Sequence, residues 1–293
     1  MTPLDRAARL PIWTGPVDPV PLKGGITNTN FVVDDRGRKV VVRIGDDIPV
    51  HHISRTNEDL ASRAAHAAGI APAIIYAEPG VLALEFIEGR TLTPEDVRTP
   101  DMLLRIAALV ARAHHDIPRF LRGPAAMFWV FHVVRDYAHG LKEARSGHAV
   151  LLPRLLDANC ELERAVGRIS VVYGHNDLLA ANFIDDGERL WLIDWEYAGF
   201  NDPLFDLGGL ASNNELDSAA RENLLGAYFG SAPDGQMRLR FAAMTAASLL
   251  RETLWSMTSE LHSRIDFDYR AYTQENLARF DAAYGAFTDL VAS

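Results

Sequence analysis

In the first third of the chain the apolar residues come in short runs rich in β-branched residues, the pattern of strands. PLKGG (21–25) turns into TNFVVDD (29–35). Asp35-Arg36-Gly37 then reads as a tight hairpin connection into RKVVVRI (38–44). From about Ser54 to Ala68 the spacing becomes helical, and Gly69 stops it. AIIYA (73–77) and VLALEF (81–86) flank the turn Glu78-Pro79-Gly80 and read as two more strands. The pattern predicts a small lobe of antiparallel strands with one helix, over residues 1–87.

After Phe86 the run IEGRTLTPED holds turn residues and then a helix-capping pattern, and from Met102 helical periodicity dominates. The exception lies between Val171 and Tyr197. There VVYG, NFI and LWLI are strand-like, with Asp185-Asp186-Gly187 turning between the last two. Residues 88–293 therefore read as a larger, mostly helical lobe with a small β insert, and the fold class is α+β. Between Ala242 and Leu261, the residues Leu250, Leu254, Met257 and Leu261 mark a helical core stripe. Trp255, about 100° around from Leu254, shares a face with Glu252 and Ser259 and is expected to line a cleft.

Composition narrows the partners. The 293 residues carry a net charge of −10 with histidine neutral, and the acidic residues are spread along the sequence. This argues against nucleic acid or an anionic membrane as partner and suits a small cationic substrate. A lone cysteine, Cys160, fits a reducing compartment. The first residues, MTPLDRAARLPIW, hold no apolar signal core, and no apolar run is long enough to span a bilayer, so the expected location is cytoplasmic.

The chemistry concentrates where strands end. Asp177 and Asn182 lie five residues apart, and Asp194 closes the next β run. Carboxylate and amide oxygens converging from two strand-ending loops form the donor set of a hard cation such as Mg²⁺, completed by water and phosphates. Between two strands, Gly24, Gly25, Thr27, Asn28 and Thr29 offer small residues that admit phosphates to backbone N–H groups, with side-chain donors beside them. No Gly-Lys-Ser/Thr follows, so this is not a Walker A loop.

His175-Asn-Asp177-x-x-x-x-Asn182 has the spacing of the protein-kinase catalytic loop, and Ile193-Asp194-Trp195 takes the place of its metal-binding motif. The wording HNDLLAAN followed by IDWEYAGFNDPLFDLG resembles the choline/ethanolamine kinase branch of the aminoglycoside phosphotransferase and kinase-like superfamily. LKGGITNTNFVV, EFIEGRTL, ETLWSM and DFDYRAY extend that resemblance over nearly the whole chain.

The resemblance implies a bilobal protein-kinase-like fold and ATP and Mg²⁺ as cofactors. Asp177 would be the base that orients or accepts the substrate hydroxyl proton, and Asn182 and Asp194 the metal ligands. His175 would be structural, and Asp206 a buried carboxylate accepting N–H bonds from the catalytic loop. Arg43 would bind nucleotide phosphates where protein kinases place a lysine, held by Glu58 on the following helix. Glu85-Phe86-Ile87 would form the hinge, its backbone facing adenine.

Tyr197, Trp255, Phe267 and Tyr272 resemble aromatic positions of a choline pocket, with Glu252 where a second tryptophan is often found. The expected activity is phosphorylation of a small amino alcohol, choline or ethanolamine. An aminoglycoside, thiamine or another hydroxyl compound is the alternative acceptor. Beyond these stand a nucleotide-binding pseudokinase and a metal-dependent phosphohydrolase. A homodimer is compatible with this reading.

Overall fold

A computed structural model describes residues 1–22, 27–263 and 265–292. Gly24 and Gly25 of the expected phosphate loop lie outside the described residues.

The chain opens with a short helix, α1 (Pro3–Ala8), whose N-terminus is closed by a capping box between Thr2 and Asp5. The strands β1 (Val20–Leu22), β2 (Thr29–Asp35), β3 (Arg38–Ile44), β4 (Ile74–Glu78) and β5 (Val81–Glu85) form one antiparallel sheet in the order β1-β2-β3-β5-β4. Between β2 and β3 only Arg36 and Gly37 turn the chain, both at positive φ, so the hairpin twists with its strands. Phe31, Val33, Val40, Val42 and Ile44 pack one face of the sheet against Ala7 and Leu10, a covering that the strand pattern alone did not predict.

α2 (Arg55–Ala67) starts at the Ser54 N-cap and ends before Gly69, which sits at positive φ. Its alanine stripe, Ala61, Ala64 and Ala65, belongs to the large core together with Ile106, Leu109 and Val110 of α4. The helix of the β lobe is thereby anchored on the helical lobe.

Beyond β5 come β6 (Arg90–Thr91), α3 (Pro94–Val97), α4 (Pro100–Phe120), α5 (Val130–Glu143) and α6 (Leu152–Val166). Then follow β7 (Val172–Gly174), β8 (Phe183–Asp185), β9 (Leu190–Leu192) and β10 (Gly199–Asn201). The helices α7 (Pro203–Asn213), α8 (Ser218–Phe229), α9 (Gly235–His262) and α10 (Tyr269–Ala292) complete the chain. The β insert is more elaborate than its sequence pattern suggests: β8 and β9 form the expected hairpin and β8 also pairs with β6, whereas β7 pairs with β10.

α9 is the axis of the helical lobe, packed by α5, α6, α7 and α10. α7 reaches it closely at Gly208, where a Cβ would fall 2.8 Å from the Thr245 backbone nitrogen. Leu250, Leu254 and Met257 are fully buried, but Leu261 is 44% exposed, because the last turn of α9 runs past its neighbours. The expected stripe is thus one turn too long. Among the described residues, no helix is long and apolar enough to cross a membrane.

Candidate active site

The loop after β7 is shaped by Asp206 in the first turn of α7. Its Oδ2 accepts the His175 N–H at 2.7 Å and its Oδ1 the Asn176 N–H at 2.6 Å. Nε2 of His114, on α4, lies 2.9 Å from Oδ2. Burial would raise the Asp206 pKa, but these donors overcome it and hold the carboxyl below its ordinary range. Gly174 is required here: a Cβ would meet Asn176 Oδ1 at 2.8 Å and Asp206 Oδ2 at 3.2 Å.

His175 is buried, and burial lowers its pKa, so the ring is neutral. Its Nε2 lies 2.9 Å from the Ile193 carbonyl and must carry the proton. This ties the loop to the end of β9. Asn176, at positive φ, adds bonds from its amide to the carbonyls of Tyr197 (3.0 Å) and Gly199 (3.2 Å).

Asp177, half-buried, projects from this framework with no donor on its carboxylate among the described residues. Burial, then the charges of Glu252, Asp194 and Glu196, push its pKa well up, opposed by Arg251. Asn182 donates Nδ2 to the Asp177 carbonyl at 2.9 Å, which turns its Oδ1 the other way. The Ile193 N–H bonds the Asn182 carbonyl at 3.0 Å and brings Asp194 alongside. Asp194 has φ +70°, a costly backbone conformation for a non-glycine residue and one that clusters at functional sites.

Across the cleft, Arg43 is 8% exposed and meets Asp194 at 2.8 Å, Glu58 at 3.2 Å and Glu196 at 3.7 Å. Arg55 bonds Glu58 at 2.7 Å and Glu196 at 2.9 Å, and Thr27 gives its hydroxyl to Glu196 at 3.0 Å. Asn28 reaches Glu196 at 3.3 Å. Burial first, then Asp194, raises the Glu196 pKa to about 7, against the pull of Arg43 and Arg55. Glu196 and Arg55 were missed in the sequence.

No three or more His, Cys, Asp or Glu side chains converge as a metal cage among the described residues. The Asn182 amide and the Asp194 carboxylate, with Glu196 behind, are instead the sparse oxygen set that suits a cation completed by phosphates and water.

Thr29 is exposed at the start of β2 and stands apart from this network. Glu85 is exposed at the end of β5, and Ile87 is half-buried beyond it. Neither lines the cavity of about 570 Å³ beside Arg43 and Glu58, which runs instead toward the Glu78-Pro79-Gly80 turn. In the ladder Arg43 faces Leu82 and Val40 faces Glu85, so the strand separates Arg43 from the hinge by three residues, roughly 10 Å.

The aromatic residues expected around the acceptor lie together in one group. The Trp255 indole donates to the Tyr197 hydroxyl at 2.9 Å, and its ring lies 6.5 Å from Tyr272. Tyr272 is 5.6 Å from Phe267 and donates its hydroxyl to Glu252 at 2.8 Å. Trp255 is 4% exposed, so it does not line an open cleft as its helical position suggested. His51, reaching over from the β lobe, stacks on it at 4.9 Å and turns that face inward. Arg251, absent from the sequence reading, shares a narrow cleft with Asp177 and Glu252.

A β sheet over a helical lobe, with a strand-ending Asp/Asn loop between them, is the architecture of the protein-kinase-like phosphotransferases. A family model described as choline/ethanolamine kinase matches residues 20–219, and the chain belongs to that family. It is 30% identical to ethanolamine kinase 2 of Mus musculus over 279 residues, 85% of this chain and 72% of the mouse protein. It is 25% identical to the protein LicA of Haemophilus influenzae over 91% of this chain and 79% of LicA. A choline/ethanolamine kinase family protein from Mesorhizobium loti superposes with a TM-score of 0.79 at 29% identity, covering 98% of this chain and 97% of the other. The chain is a phosphotransferase with an alcohol group as acceptor.

Proposed function

We propose that the chain transfers the γ-phosphoryl group of ATP, with Mg²⁺, to the hydroxyl of a small amino alcohol of the choline or ethanolamine type. The observation that carries this reading is the half-buried Asp177 carboxylate, without a donor among the described residues, on a loop that Asp206 holds from behind. A carboxylate so placed accepts a hydroxyl proton as the oxygen attacks. Arg43 lies opposite and presents a guanidinium to phosphate oxygens. Its carboxylate partners keep it in position.

Asn182 and Asp194 would hold the cation, with Glu196 behind them. When bound, Mg²⁺ neutralises charge building on the transferring phosphoryl group. The roughly 10 Å from Arg43 to the hinge leaves room for a nucleotide with its base at Glu85–Ile87 and its phosphates at Arg43.

Asp177→Asn tests the reading. Turnover should fall by about 10²–10⁴-fold with Mg-ATP affinity within about twofold of wild type. Unchanged turnover removes Asp177 from the base role.

A further inference from the structure

The acceptor side of the cleft holds a cation of its own. Arg251 is 4% exposed on α9, with its guanidinium carbon 4.3 Å from the centre of the Tyr197 ring and 5.8 Å from that of Phe128. Nη1 pairs with Glu252 at 2.8 Å, while the buried Nε and Nη2 have no hydrogen-bond partner among the described residues. The guanidinium is therefore held by ring faces and one carboxylate.

Trp255 is likewise engaged. His51 lies on it at 4.9 Å, Tyr269 stands 6.1 Å away, and its N–H is committed to Tyr197. A quaternary ammonium needs an aromatic face, because it has no N–H to donate. Against Tyr197 it would displace Arg251 or meet a like charge in a site of low polarity.

What faces outward is different. Glu252 keeps part of its carboxylate accessible beside the Tyr272 hydroxyl, and Phe267 is 43% exposed at the rim. Glu252 and the Tyr272 hydroxyl oxygen offer acceptors to an ammonium that carries N–H bonds.

We propose that Arg251 is a specificity-determining residue that reserves the Tyr197 face for its own guanidinium, so that the acceptor is a primary-amine alcohol and quaternary ammonium alcohols are excluded. This rests on the kinase reading above. Loss of a desolvated cation–π contact, about 2 kcal/mol, corresponds to a discrimination of about thirtyfold.

The test measures kcat/KM for ethanolamine and choline with wild type, Arg251→Met and Arg251→Lys, together with choline binding by calorimetry. Wild type should favour ethanolamine by about thirtyfold or more. Arg251→Met should narrow that ratio by a similar factor, mainly through a lower KM for choline, and Arg251→Lys should retain the preference. Choline used as well as ethanolamine by wild type overturns the proposal, as does an unchanged ratio in Arg251→Met. Should Arg251→Met fail to fold, the wild-type ratio and Arg251→Lys decide. Should neither amine turn over while Mg-ATP binds, the kinase reading fails separately. Calorimetry then still decides for Arg251: tighter choline binding by Arg251→Met upholds its role, and equal or weaker binding overturns it.

Discussion

Arg43, beside the cavity at Glu58, and Arg251, beside Asp177, are both buried arginines, yet they are held in opposite ways. Arg43 sits among three carboxylates drawn from α2 and the segment after β9. Arg251 has one carboxylate and two aromatic faces. Around Arg43 the charges form a linked network in which Arg55 shares both Glu58 and Glu196. Breaking a buried pair leaves a charge uncompensated, at a cost of about 3–5 kcal/mol, so this side resists rearrangement, as the proposed phosphate site requires. The acceptor side relies on packing, which tolerates change of shape at smaller cost and suits the part of a site that varies with substrate.

Asp194→Ala breaks the nucleotide side outright. It removes a candidate metal ligand and the nearest partner of Arg43 together, and Mg²⁺-dependent nucleotide binding should disappear, with turnover down by at least about 10³-fold. Normal metal dependence of ATP binding in that variant would sink the assignment.

Glu58→Gln is a milder probe of the same network. Arg43 and Arg55 each lose an ionic partner but keep Glu196, so the KM for ATP should rise about tenfold while the KM for the amine stays within about twofold. An equal rise in both would show that the two sides act as one.

A last probe reads stability instead of activity. Burial, with Arg251 and two other histidines nearby, lowers the His51 pKa from 6.5 to about 3. Below pH 6.5 the unfolded chain takes up a proton that the folded chain refuses until about pH 3, so stability falls as pH drops through this window. The slope from this group is at most about 1.4 kcal/mol per pH unit. His51→Gln should start from a lower melting temperature at pH 7 but lose less of it between pH 6 and 4. An identical slope in both proteins would show that His51 does not set it.

The two sides also differ in how far the sequence reveals them. Asp177, Asn182 and Asp194 are legible because one loop and one hairpin carry them, so their spacing is almost their geometry. The hairpins and the Gly69 stop are legible for the same reason, since their chemistry is local. β10 escaped notice because three residues, Gly199–Asn201, make a strand only by pairing with β7. The acceptor side draws on α9, α10 and His51 of the β lobe, contacts that no local pattern encodes. An arginine in a helix reads as solvated surface, so nothing in ETLWSM announced that Arg251 is buried on Tyr197. Trp255 is closed off from the expected cleft by a ring that lies some 200 residues earlier in the chain.

The most direct test of the central claim is phosphorus NMR of wild-type protein with Mg-ATP and ethanolamine. Phosphorylated amine should accumulate one for one with ADP, cease when the metal is chelated, and be all but absent with Asp177→Asn. ADP and free phosphate without a phosphorylated amine, or bound nucleotide left intact, would contradict it.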